Sequence, residues 1–185
     1  MAKQHAVTDI LRQYHPVPDR FDELGSMGSG PKSHWRPLLK QLNLESVDSL
    51  NIRAQAVSNA IAEDGVTYNV YEDPRGDTRP WEVDLLPLVL GADEWQWLSK
   101  AVAQRAELLD SVLADLYGEQ SLLKEGFMPP ALVYGQAGFQ WPCQGIEPAG
   151  GRFLHLYAVD LARAPDGGWW GMGDRTQAPS GAGYA

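Results

Sequence analysis

The sequence predicts an α+β protein: a helical N-terminal region with a small β element, then an antiparallel hairpin belonging to an incomplete larger sheet. Three observations predict it. Two long stretches carry apolar residues at helical spacing. Val66 to Tyr71 alternates and is rich in β-branched and aromatic residues. Two further strand-like runs, Phe153 to Arg163 and Trp169 to Met172, are joined by Pro165-Asp166-Gly167-Gly168, and Asp-Gly is a favoured hairpin signal. Helices first and a sheet last define the class.

In chain order, Thr8 to Tyr14 fits one or two helical turns, and the rest of the first 33 residues is irregular. His15-Pro16-Val17-Pro18 favours extended backbone, and the Gly/Ser run from Gly25 to Pro31 reads as a flexible loop. His34 to Leu42 has a short helical pattern through Trp35, Leu38, Leu39 and Leu42. Ser46 is an N-cap for a helix carrying Val47, Leu50, Ala54, Val57 and Ile61, with Gly65 as its stop. Asp73-Pro74-Arg75-Gly76 is a turn, and a second strand over Trp81 to Leu85 pairs back on the first. Asp93 opens the strongest helix, which runs to Tyr117 and stops at Gly118. A short helix covers Glu119 to Lys124, Met128-Pro129-Pro130 breaks it, and Ala131 to Tyr134 reads as a brief strand. The chain then divides into an arm (1–33), an α+β region (34–150) and a hairpin with its loop (151–185).

Composition excludes several classes. The net charge of -9 and the absence of any Lys/Arg run argue against nucleic acid and anionic membrane surfaces as partners. No stretch is long and apolar enough for a signal peptide or a membrane helix. The single cysteine, Cys143, forbids an internal disulfide, so a cytoplasmic location is expected. His5, His15, His34 and His155 show no metal-ligand spacing. A thiol triad of Cys143, His155 and Asp160 is disfavoured, because no helix N-terminus is predicted to activate the thiol.

The chemistry concentrates after residue 157. Asp160 lies on the first strand of the hairpin, and Pro179-Ser180-Gly181 forms a small-residue loop after the second. An acid beside such a loop suits a divalent cation held next to phosphates, because magnesium takes hard oxygen ligands and shares them with a nucleotide. The plain alternative is an exposed strand acid and an ordinary turn. Arg105, in the long helix, is a candidate for a substrate carboxylate or phosphate, against a surface ion pair one turn away. Asp84 is open to the same two readings.

The hairpin with its Asp-Gly turn resembles the metal-binding hairpin of ATP-grasp ligases. An ordered series of segments is similar to the circularly permuted ATP-grasp type 2 family. It includes Phe21-Asp22-Glu23, Arg79-Pro80-Trp81, Asp84-Leu85-Leu86-Pro87, Glu94-Trp95, Gln104-Arg105, Asp115-Leu116-Tyr117-Gly118, Arg152-Phe153-Leu154-His155 and Thr176-Gln177-Ala178-Pro179-Ser180-Gly181. Each segment is weak alone; their order carries the resemblance. It implies ATP and magnesium as cofactors of the intact protein, with Asp160 as a metal ligand. The family's Glu and Asn positions fall on Gly173 and Arg175, and the Arg usual in its loop falls on Gln177. Asp174 is a possible substitute ligand, although neighbouring strand residues face opposite ways. Arg175, Pro179, Ser180 and Gly181 become the phosphate loop, with Arg175 suited to phosphate rather than metal.

The implied activity is an ATP-dependent carboxylate–amine ligase, and the implied alternative is a non-catalytic nucleotide- or protein-binding descendant. The chain stops at Ala185 inside the loop motif, where the resemblance implies that lysine-bearing nucleotide-binding portions follow. These 185 residues alone are therefore expected to be inactive. The expected partners are the remainder of the ATP-grasp domain, a carboxylate and an amine. Self-association through the hairpin's exposed edges is expected as well.

Overall fold

A computed structural model describes residues 11, 14–26, 30–42, 46–69, 78–177 and 179. The fold is α+β, as the sequence predicts, and divides into two compact units, residues 1–92 and 93–185.

The first unit is built around one tryptophan. A single 3-10 turn, Ser33–Trp35, leads into α1 (Arg36–Leu42). Trp35 and Leu39 are buried, with Leu11, Leu24, Leu38, Leu42, Leu50 and Val89 packed against them. Within the run read as a flexible loop, residues 25–26 and 30–31 are paired strands. β1 (Gly25–Ser26) pairs with β2 (Gly30–Pro31), and a β-carbon at Gly25 would lie 2.4 Å from the Gly30 carbonyl oxygen. Only glycine permits that approach. Asp22 braces the bend, accepting from the backbone N–H groups of Leu24 and Gly25 at 2.8 and 3.1 Å.

Ser46 caps α2 (Val47–Glu63) in the predicted position. Its side chain accepts from Ser49 N–H, and Ser49 Oγ accepts from Ser46 N–H. This reciprocal pair satisfies two otherwise orphaned donors. Gly65 follows the helix at a positive φ of 65°. β3 (Thr67–Asn69) pairs with β4 (Thr78–Pro80), and residues 81–91 are irregular, so the second strand lies earlier than Trp81 to Leu85. Pro80 explains the shift. Its ring offers no N–H to the ladder, and among the described residues one further bond follows it, Trp81 N–H to Val66 O at 3.0 Å. The Asp73–Gly76 turn lies outside the described residues.

The second unit hangs on α3 (Ala92–Tyr117), which buries Leu98 and Leu116. After it come two short helices, α4 (Ser121–Lys124) and α5 (Pro130–Tyr134). α5 corrects the expected strand at Ala131 to Tyr134. Pro130 occupies the first helical position, where its missing N–H costs nothing. Asp115, in the last turn of α3, accepts from the N–H groups of Ser121 and Leu122 at 2.8 and 3.0 Å and so caps α4. Those backbone donors hold its carboxyl below the usual carboxylate range. Aromatic rings fill the adjacent corner: Tyr117 stacks on Phe139 at 5.0 Å, and Tyr134 on Trp141 at 4.6 Å.

The hairpin consists of β5 (Ala158–Arg163) and β6 (Trp169–Arg175). β5 starts later than Phe153 because Asp110 of α3 takes the N–H groups of Phe153 and Leu154, at 2.9 and 2.8 Å, for itself. β6 runs three residues beyond Met172, which puts Gly173, Asp174 and Arg175 in the strand rather than the loop. The register changes between Asp160 and Leu161: Asp160 pairs with Gly173 but Leu161 with Gly171, so Met172 is the extra residue of a β-bulge.

Candidate functional site

The bulge decides which side chains face which way. Cross-strand partners project to one face of a sheet, and successive residues to opposite faces. Trp169 and Asp174 are five residues apart and would face opposite ways on a regular strand. The extra residue Met172 restores their common side, and both reach α3. Trp169 Nε1 donates to Glu94 Oε1 at 3.0 Å. Asp174 receives Arg105 through two parallel bonds, Nε to Oδ1 and Nη2 to Oδ2, each 2.6 Å. Glu94 and Arg105 are 11 residues apart, three turns of one helix face and about 16 Å. Five strand residues span about 16 Å as well. Helix and strand therefore run in step, tied at both ends.

The end near Glu94 is the more buried. The Arg163 side chain is 11% exposed, donates to Glu94 at 2.5 Å, and stacks over the Trp169 ring at 3.8 Å. At the other end the Tyr157 hydroxyl donates to Asp174 Oδ1 at 2.5 Å. The Arg105 fork, then the Tyr157 hydroxyl, lower the Asp174 pKa to about 2. Burial, then the bond to Asp174, pushes the Tyr157 phenol up to about 12. The carboxylate in turn raises Arg105 further above its usual range.

The signs of these shifts give a test. A depressed carboxylate contributes stability that is complete above its unfolded value, near 4, and is lost as pH falls through about 2. A raised phenol contributes stability that is complete below pH 10 and is lost as pH climbs through about 12. The pair is partly solvated, so we expect Asp174→Asn to cost about 1 kcal/mol near neutrality rather than the full shift. Thermal melts of wild type and variant should converge at about pH 2. A gap unchanged at pH 2 would exclude the clamp.

The other face of the hairpin is open. Asp160, its partner Gly173, and Arg175 project to it by register. Arg175 Nε donates to Asp160 Oδ2 at 3.0 Å, and Nη2 lies 2.9 Å from the same oxygen in an ion pair, both side chains remaining half-exposed. A β-carbon at Gly173 would lie 3.8 Å from Asp160 Oδ2, so the space beside the acid is free.

The sequence-predicted residues thus separate into two groups. Asp160 and Arg175 meet on the open face. Arg105 and Asp174 meet on the helix face, so Arg105 does form an ion pair, with an acid 69 positions away rather than one turn away. Pro179 is half-buried, while Ser180 and Gly181 lie outside the described residues. Asp84 is exposed in the first unit and does not line that unit's apolar hollow of about 350 Å³, which Tyr14, Phe21, Trp35, Leu39, Leu50 and Leu86 help to form. Sequence reasoning did not single out Tyr157, Arg163 or Asp110. Tyr157 and Arg163 fall within the strand that the sequence predicts over Phe153 to Arg163, but alternation gives neither a role.

The antiparallel hairpin with Asp160 on its first strand is the part of this arrangement that the family resemblance anticipates. The family described as circularly permuted ATP-grasp type 2 matches residues 87–185, more than half of the chain, and the chain belongs to it. It is 36% identical over 173 residues to the uncharacterized protein Rv2567 of Mycobacterium tuberculosis, covering 89% of this chain and 20% of that protein. It is 33% identical over 174 residues to the uncharacterized protein sll0335 of Synechocystis, covering 94% and 36%. A second Mycobacterium tuberculosis protein, Rv2411c, is 30% identical over 164 residues. The chain spans about a fifth of the length of the first of these relatives. ATP-grasp proteins generally use ATP and magnesium. Among the described residues of the second unit, no helix is long and apolar enough to cross a membrane; the same holds for the first.

Proposed function

We propose that the full-length protein is an ATP-dependent carboxylate–amine ligase to which this chain contributes the open face of the β5–β6 hairpin. In that reaction a carboxylate oxygen attacks the γ-phosphorus of ATP and ADP departs. The amine then attacks the acyl carbon, inorganic phosphate leaves, and an amide forms with release of one proton. The observation that supports this reading is the pairing of Asp160 with Arg175 on the face opposite α3, at the end of β6. Arg175 would meet phosphate oxygens, because a planar guanidinium matches them with parallel N–H bonds. Asp160 would pair with Arg175 until phosphate oxygens replace it. Arg105 and Asp174 would act behind the sheet by fixing β6 against α3.

Magnesium fits this face poorly. Asp160 is its single carboxylate, Gly173 offers no side-chain oxygen, and Asp174 is turned away. Among the described residues no group of three His, Cys, Asp or Glu could hold a metal ion. The Arg175–Asp160 pair gives the second reading its one supporting observation: a face already neutralised suits a nucleotide-binding protein without turnover. The unpaired edges of β5 and β6 are where further strands of the same fold would join.

A nucleotide pocket buries most of its ligand, and one hairpin face does not. The 185-residue chain is therefore expected neither to hydrolyse ATP nor to bind it tightly, while the full-length protein binds it. Isothermal titration of both with ATP and magnesium checks this. Micromolar binding by the short chain, on the order of −8 kcal/mol, would mean that its site is far more complete than one face. No binding by the full-length protein would remove the ligase reading.

A further inference from the structure

We infer that the Arg175 guanidinium is the resident cation of the open face, and that this face takes phosphate oxygens without a divalent metal at Asp160. The inference rests on the nucleotide-binding reading above.

Four observations carry it. First, the Asp160 carboxylate is already paired with Arg175, whose Nε donates to Oδ2 at 3.0 Å and whose Nη2 lies 2.9 Å from it. Second, Gly173 stands directly across from Asp160 and supplies no ligand. Third, Asp174 has both oxygens engaged by Arg105 on the opposite side of the sheet, with Tyr157 adding a bond to one of them. Freeing it would break a two-bond charged pair and reverse the register that the Met172 bulge sets. Fourth, Arg175 gives one hydrogen bond to Asp160 and stays half-exposed, and a guanidinium carries five N–H donors in all.

Charge balance points the same way. Magnesium keeps its waters unless several oxygens converge on it. At Asp160 it would meet one carboxylate and, within a few ångströms, a fixed positive charge. A phosphate instead finds a half-exposed guanidinium, a charged donor that matches its oxygens. The shared chemistry is a phosphoryl group, whether of ATP or of a phosphorylated substrate. ATP and inorganic tripolyphosphate, titrated separately, distinguish a nucleotide from a bare phosphate requirement.

Asp160→Asn gives the two accounts opposite signs. It removes the competitor for Arg175. If the guanidinium is the cation, the full-length protein should bind ATP in excess EDTA, and Asp160→Asn should bind it equally or up to about threefold more tightly. Arg175→Gln should weaken binding by about tenfold or more, with or without magnesium, and Arg175→Lys should recover part of the loss. Melting temperatures provide the folding control. If Asp160 is a metal ligand, Asp160→Asn should instead abolish the magnesium-dependent part of ATP binding and the Mn2+ signal broadening that reports a bound ion. That result overturns the inference and leaves the proposed function standing. A wild-type protein that binds neither probe under any condition removes both.

Discussion

Glu94→Ala is expected to destabilise the second unit by about 3 kcal/mol, the largest loss expected from any single charged side chain in it. Glu94 sits in the first turn of α3 and takes two donors on one oxygen, Arg163 Nη1 and Trp169 Nε1. Arg163 is the more buried partner, at 11% against 31% for Glu94. Removing Glu94 therefore breaks a largely buried ion pair and takes the shared acceptor from Trp169 as well, and that double loss sets the cost. Gly167 O, which also accepts from Arg163 Nη1 at 3.0 Å, keeps one bond to the guanidinium. Glu94→Gln keeps an acceptor oxygen and should lose roughly half as much. Replacing both ends, with Arg163→Met added to Glu94→Ala, should recover stability because no charge is left buried. Urea unfolding of the three variants measures this. A loss under about 1 kcal/mol in Glu94→Ala would place the pair among ordinary surface ion pairs.

Trp35→Ala should cost the first unit about 3–5 kcal/mol, and Trp35→Phe much less, under about 1.5 kcal/mol. Trp35 is 6% exposed and Leu39 is 5% exposed; the rest of the cluster is only partly buried. One side chain therefore supplies most of the sealed apolar surface in a unit with little reserve. Truncation leaves a cavity beside α1 that the short β1–β2 pairing cannot close. Phenylalanine refills most of it. The indole N–H has no hydrogen-bond partner among the described residues, so phenylalanine forfeits no bond. Amide hydrogen exchange across residues 30–63 is the readout. Equal loss of protection in Ala and Phe variants would show that the N–H, not the volume, matters.

Much of this was legible in the sequence, for local reasons. Ser46 with Ser49, Gly65, the apolar stripe of α3 and the Asp-Gly turn each act within a few residues of themselves. Asp166 Oδ1 accepting from Gly168 N–H at 2.9 Å, with Gly167 at a φ of 89°, is the predicted turn realised. What local reasoning missed is set by pairing. The sequence puts Asp160 on the hairpin but ends the second strand at Met172, which leaves Asp174 in the loop, because the Met172 bulge carries no propensity signal. Without the bulge there is no way to see that Arg105 reaches Asp174. The same holds for Asp110, whose hold on Phe153 and Leu154 shortens a strand that alternation alone extends. At Pro130 the error was one of weight: a short apolar run after two prolines fits a helix start as well as a strand.

The division of labour between the two faces of the hairpin is the central claim, and nucleotide affinity of full-length Asp174→Asn tests it most directly. Asp174 is one residue from Arg175, yet it serves the sheet's attachment to α3 and not the ligand. Fluorescence titration with ATP should therefore give Asp174→Asn an affinity within about threefold of wild type, although its melting temperature falls, while Arg175→Gln in parallel loses about tenfold or more at an unchanged melting temperature. If Asp174→Asn instead loses ATP binding as completely as Arg175→Gln, Asp174 belongs to the ligand site and the assignment of the two faces is wrong.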